Sequence, residues 1–251
     1  MKTAHCSTRP LLRGLLPGLI AAIAGISTMV CHAGSIELTP LQINLSAVTK
    51  VAVLTVRNAG TEESVMQVTL NKWTLDGERY AYAQSQELVF TPATFRLAPG
   101  KQQIVRVSLL AGPPAANENS YRLLVEEVPP PPSPGVTQTR LVVRHDLPVF
   151  VMQTEAPKLA LDISLDCAVD GARLRLTNTG NVHTRLHSVV LHGTPVAQVL
   201  GSWDTFDYLL PNARKSWGLA QVAPTAVGKT FQVTALTDRG SFTADVANKC
   251  S

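Results

Sequence analysis

The chain has 251 residues, of which 22 are basic and 18 acidic, for a net charge of +4. Three basic residues and no acidic one fall within the first 33, so residues 34–251 carry 19 basic against 18 acidic. That balance excludes the basic footprint expected of a nucleic-acid partner.

Residues 1–33 read as an export leader. Lys2, Arg9 and Arg13 form a basic start, Leu15 to Val30 is mostly apolar, and Cys31-His-Ala33 places small residues at −3 and −1 of a cut after Ala33. A membrane anchor is the alternative, since the apolar run approaches the length of the shortest spanning helices. A lipoprotein cut before Cys31 is a further one, against which bulky Val30 stands. Cleavage near Ala33 implies an exported protein whose mature form is not embedded in the membrane.

The rest reads as β. Ile36-Glu-Leu38 and Ile43-Asn-Leu45 alternate around Pro40, as an edge strand broken by a proline does. Lys50 to Arg57 stops at Asn58-Ala-Gly60. Val65 to Leu75 carries Met66, Val68 and Leu70 on one face and ends at the hairpin signal Asp76-Gly77. Leu88-Val-Phe90 and Phe95-Arg-Leu97 flank Thr91-Pro92, and Ala98-Pro-Gly100 turns into Ile104 to Leu110.

Two longer strands follow. Ser120 to Val128 and Val136 to Val151 are separated by Pro129-Pro-Pro-Pro-Ser-Pro134, five prolines in six residues. Proline lacks the N–H that a ladder needs, so this connector cannot pair as sheet. A strand rooted there, apolar at alternate positions, can lend its edge to another chain. Of Glu126 and Glu127, strand neighbours on opposite faces, one faces inward and the other is solvated. Arg140 and Arg144 share the face opposite Leu141 and Val143. They are either solvated charges or cleft groups that receive a carboxylate.

The second half repeats the scheme. Leu54-Thr-Val-Arg-Asn-Ala-Gly60 matches Leu174-Arg-Leu-Thr-Asn-Thr-Gly180, and Ala98-Pro-Gly-Lys101 has a looser echo in Leu210-Pro-Asn-Ala213. Two similar antiparallel sandwiches are expected, 34–153 and 154–251, divided at the polar linker Gln153-Thr-Glu-Ala-Pro157. Cys167 and Cys250 remain after the leader, an even number in an exported chain, which favours a disulfide over two free thiols. Such a bridge would contribute about 4–5 kcal/mol by chain entropy.

No motif of a nucleophile, a metal protease or a phosphate loop occurs, so neither an enzyme nor a cofactor is expected. His183, His187 and His192 are the nearest thing to a metal set. On a strand, positions 183 and 187 lie about 13 Å apart, which favours surface histidines over metal ligands.

The motifs together resemble the periplasmic chaperones of the chaperone–usher pilus pathway, closest to their archaic or spore-coat-like branch. Leu38-Thr-Pro-Leu-Gln-Ile43, Leu54 to Gly60, Phe95 to Gly100 with Val105-Arg-Val107, Tyr121 to Pro129 and Leu147-Pro-Val-Phe-Val151 carry the resemblance. It implies an all-β fold, two immunoglobulin-like β-sandwich domains in an L with an interdomain cleft. It implies donor-strand complementation of a pilin or spore-coat-like subunit that lacks its last strand, and delivery to an outer-membrane usher without a nucleotide. The donor side chains would be Thr139, Leu141 and Val143, preceded by Thr137.

Two departures stand out. The family's basic cleft residues match Gln42 and Pro148, leaving Arg144 as the substitute carboxylate anchor beside Gln42 and Arg140. The arginine expected to brace the domains matches Met152. The alternative function, from another class, is an exported two-domain adhesive or ligand-binding module. A copper- or zinc-binding sandwich using the three histidines is a third reading.

Overall fold

Period-two alternation becomes strand almost wherever it occurs. In the computed structural model, which describes residues 36–76, 78–129, 142–168, 171–193, 198–219 and 230–247, the only regular structure is β. The first sandwich contains β1 (Ile36–Thr39), β2 (Ile43–Leu45), β3 (Val51–Asn58), β4 (Ser64–Asp76) and β5 (Arg79–Gln84). It continues with β6 (Leu88–Thr91), β7 (Thr94–Leu97), β8 (Gln102–Leu109), β9 (Asn119–Val128) and β10 (Arg144–Val151). One sheet runs β1-β3-β8-β6 and the other β2-β10-β9-β4-β5, with β7 beside β4.

Alternate side chains of both sheets meet in the core. Leu54, Val56, Val105 and Val107 of the first sheet pack with Met66, Val68, Leu123, Val125, Leu147 and Val149 of the second. Pro40 has a topological role. β1 pairs antiparallel with β3, whereas β2 pairs parallel with β10, so the proline marks where the chain changes sheets.

The second sandwich contains β11 (Leu161–Ala168), β12 (Gly171–Asn178), β13 (Thr184–His192), β14 (Val199–Asp204), β15 (Tyr208–Leu209), β16 (Arg214–Leu219), β17 (Thr230–Thr237) and β18 (Gly240–Ala247). Its sheets run β11-β12-β16 and β14-β13-β17-β18, with β15 on β13.

The internal repeat of the sequence is the same corner built twice. The Asn58 amide nitrogen donates to the carbonyls of Glu62 (2.7 Å) and Leu97 (2.9 Å), and its oxygen accepts from Gly60 N–H (2.9 Å). Asn178 does the same with Val182 (2.8 Å), Leu209 (3.0 Å) and Gly180 (2.9 Å). The looser echo belongs to the same corner. Gly100 N–H donates to Asn58 O (2.8 Å) and Asn212 N–H to Asn178 O (2.9 Å). Gly100 and Asn212 have φ of 72° and 62°, a region that glycine and asparagine enter at least cost.

Two large side chains of the first sandwich are buried in the second. Trp73 of β4 and Phe150 of β10 lie in one cluster with Leu174, Leu186 and Leu209. The short linker therefore joins sandwiches that share apolar packing at their seam. The leader, residues 1–33, lies outside the described residues, as do Cys250 and the side chain of Cys167, the expected disulfide partners.

Candidate functional site

β10 has one occupied edge and one that is open over part of its length. Its whole length pairs antiparallel with β9, from Arg144 opposite Glu126 to Val151 opposite Asn119. On the other side β2 covers only Val149 to Val151. Two bonds show which residues face which side. The Val143 carbonyl accepts from Glu127 N–H of β9 (3.4 Å), and Met152 N–H donates to Leu45 O, one residue beyond β10 on the β2 side (2.8 Å). N–H and C=O of one strand residue point the same way and alternate along the chain. Odd residues therefore bond to β9, while Val142, Arg144, Asp146 and Pro148 present their backbone outward. Among the described residues no strand pairs with that stretch.

The side chains alternate as well. Leu147, Val149 and Val151 face the first core. Val143 and His145, half-buried, continue that row towards the proline connector. Burial pushes the His145 imidazole below the ordinary histidine range. The even residues face the other way. Arg144 and Asp146 are exposed, Pro148 is buried, and Phe150 enters the second sandwich.

Beside this even row stands Arg122 of β9, the cross-strand neighbour of Pro148. Its side chain is only 14% exposed and lies 3.5 Å from the Asp146 carboxylate. The guanidinium carbon sits 3.7 Å from the centre of the Trp73 ring and 5.4 Å from that of Tyr208. Its Nε is buried without a hydrogen-bond partner among the described residues. An arginine held over aromatic faces presents a preorganised cation, suited to a carboxylate that can form charge-assisted bonds. Neighbouring Tyr82 is pushed up by burial, with Arg122 opposing that shift.

The expected site residues fall in three groups. Val143 lies on the core-facing row and Arg144 on the exposed opposite row. Gln42 is half-buried, and its amide donates to Asn44 Oδ1 at 3.1 Å. Thr139, Arg140 and Leu141 lie outside the described residues. Of the acid pair, Glu127 is the inward member and accepts from the Ser64 hydroxyl at 3.1 Å.

One site residue, Arg122, is not singled out by the sequence, and another, His183, lies elsewhere than expected. Arg122 sits within a family-like motif, and the alternation Tyr121, Leu123, Val125 assigns it to the face away from the core. His183, expected at the surface, is instead 4% exposed. Its Nδ1 lies 2.6 Å from Glu118 Oε1, and its ring stacks on Phe150 with centroids 3.5 Å apart. The correction has a simple cause. His183 precedes β13 at the seam, where residues of the first sandwich cover it, and no local pattern reveals a cover that distant in sequence. Among the described residues no three His, Cys, Asp or Glu side chains are grouped to hold a metal ion.

Comparison with known proteins bears on this edge. Residues 35–155 match the family model described as pili and flagellar-assembly chaperone, PapD N-terminal domain. These residues belong to the pili and flagellar-assembly chaperone family. The match takes in all ten strands of the first sandwich, so the open β10 edge is an edge of the chaperone domain.

Solved structures share the fold across both sandwiches. One is a chain of the CsuC–CsuE chaperone–tip adhesion subunit pre-assembly complex, from archaic chaperone-usher Csu pili of Acinetobacter baumannii. It has a TM-score of 0.64 and 20% identity, over 84% of this chain and 98% of that one. The class 5 fimbriae chaperone CfaA has a TM-score of 0.60 and 14% identity, over 85% and 99%. A structure of the Salmonella enterica SafA pilin with the SafB chaperone has 0.58 and 18%, over 84% and 95%. A sequence comparison with curated proteins finds no match.

Proposed function

We propose that this chain is a periplasmic chaperone that binds pilus or spore-coat-like subunits by lending them a β-strand, and that it passes them to an outer-membrane usher. The observation that carries the reading is the half-open edge of β10, a strand anchored by β9 on one side and unpaired at Val142, Arg144 and Asp146 on the other. An unpaired edge is a template for a further strand, and most proteins blunt or cover one. The membership of residues 35–155 in a chaperone family supports the reading, as do fold relatives described in complex with a pilin or a tip adhesion subunit. The work is binding alone and asks no catalytic step of the chain.

The core-facing row supplies the side chains that enter the subunit. Val143 extends the line of Leu147, Val149 and Val151; Leu141 and Thr139, outside the described residues, share its parity in the sequence. Burying two aliphatic side chains contributes about 1.5–3 kcal/mol each, so backbone pairing supplies much of the grip. Arg122 takes the role of carboxylate anchor in preference to Gln42, Arg140 or Arg144, because its cation is already held in an aromatic cradle.

The test is co-expression with a pilin-type subunit that lacks its last strand. A one-to-one complex should purify with the unaltered chain, and Leu141→Asp with Val143→Asp should leave the subunit aggregated or degraded. An unchanged yield of soluble subunit would sink the reading.

A further inference from the structure

Strand lending leaves the register of the incoming strand open, because a strand can slide along a uniform edge. This edge is not uniform. Val142, Arg144 and Asp146 each turn one N–H and one C=O outward. Pro148 is the next outward residue and has no N–H to give. Beyond it the same edge belongs to β2, whose Ile43, Asn44 and Leu45 pair with Val149, Phe150 and Val151.

The geometry points to Pro148 as the register stop of the subunit-binding edge. On the strand-lending reading, the ladder of the bound polypeptide ends at Asp146, because the next donor is missing and β2 closes the edge just after it.

Two observations favour a positional role for this proline over an accident of sequence. Its backbone faces away from β9, so the β9 ladder loses nothing by the missing donor. Its cross-strand neighbour is Arg122 of β9, so the enclosed guanidinium lies across β10 from the open edge. A terminal carboxylate at that point, turned to the face of β10 away from the first core, reaches towards that cation across β10. Stop and anchor then act on the same end of the partner, which specifies a polypeptide whose last strand terminates at that end.

The experiment is residue-resolved amide exchange on the full chain, free and in its complex with a co-expressed strand-deficient pilin-type subunit. In the unaltered complex the Arg144 and Asp146 amides should slow by about 100-fold or more, while Phe150, already facing β2, should not change. In the complex of Pro148→Ala the new amide at 148 should gain protection as well. The mapped end of the subunit strand should then move on by two residues. A 148 amide as fast in that complex as in the free variant overturns the stop and leaves strand lending intact. So do cross-links that carry the subunit strand past Pro148 in the unaltered complex, a measurement that needs no variant. A complex in which neither Arg144 nor Asp146 slows overturns the strand-lending reading itself.

Discussion

Glu118 and His183 join the two sandwiches through one carboxylate oxygen. Glu118 Oε1 lies 2.6 Å from His183 Nδ1 and accepts the His183 backbone N–H at 3.3 Å. Glu118 N–H donates back across the seam to Asn181 O at 3.0 Å. Both side chains are almost fully enclosed, and Phe150 lies flat against the imidazole. This pair ties the two sandwiches together at the seam.

Removing either partner strands the other in a buried site. Glu118→Ala and His183→Ala should each lower unfolding stability by about 1–3 kcal/mol. The double variant should cost less than the sum of the two singles, because the second change no longer orphans a partner. Urea unfolding of the three variants checks this. Strictly additive losses would mean the pair does not act as a unit.

The twin corners give a second expectation. Asn58 and Asn178 each satisfy two carbonyls and one N–H, so Asn58→Ala or Asn178→Ala should cost about 1–3 kcal/mol for the groups left without partners. The losses should resemble each other, since the hydrogen bonds do. Chemical denaturation of each variant is the measurement, and a loss at only one corner would show that the two differ in burden.

Tyr80 makes the seam sensitive to alkali. Its hydroxyl donates to the Tyr208 carbonyl at 2.8 Å, and burial, helped by Asp207, pushes its pKa from 10.0 up to about 12. The folded state holds the proton more tightly than the unfolded chain. The stability so contributed is full below pH 10 and is lost as the pH rises to about 12. Stability measured across that window should fall less steeply in Tyr80→Phe than in the unaltered chain. Equal slopes would remove Tyr80 from the account.

Arg122 should matter for binding more than for folding. Arg122→Gln keeps polar capacity and much of the length but loses the charge, and it should weaken subunit binding by about tenfold or more, as the loss of a charge-assisted contact does. Titration with the purified subunit at low and high salt is the readout. The deficit should shrink at high salt, where the charge of the unaltered chain is screened. Equal affinities at low salt would leave the carboxylate without this anchor.

Much of the candidate site is legible in the residues themselves. The alternation of Leu147, Val149 and Val151 sets Val143 on the core-facing row, and proline chemistry separates the two long strands. The Leu-x-x-x-Asn-x-Gly repeat points to two like sandwiches because its asparagines close the same corner. Alternation also places Arg122 off the core, but nothing local distinguishes it from a solvated arginine. Its aromatic cradle comes from Trp73 and Tyr208, which lie 49 and 86 residues away along the chain.

By itself the sequence determined what is local: which segments extend, where they turn, and which face of each is apolar. These follow from proline, glycine, asparagine and a period of two within a few residues. The tertiary structure decided what depends on distant partners. It showed that β2 stops covering β10 at Val149, that Pro148 turns its missing N–H outward, and that Trp73 and Phe150 are buried in the second sandwich. It also put Glu118 against His183. Edge pairing and burial at a seam join residues far apart along the chain, and alternation carries no information over that separation.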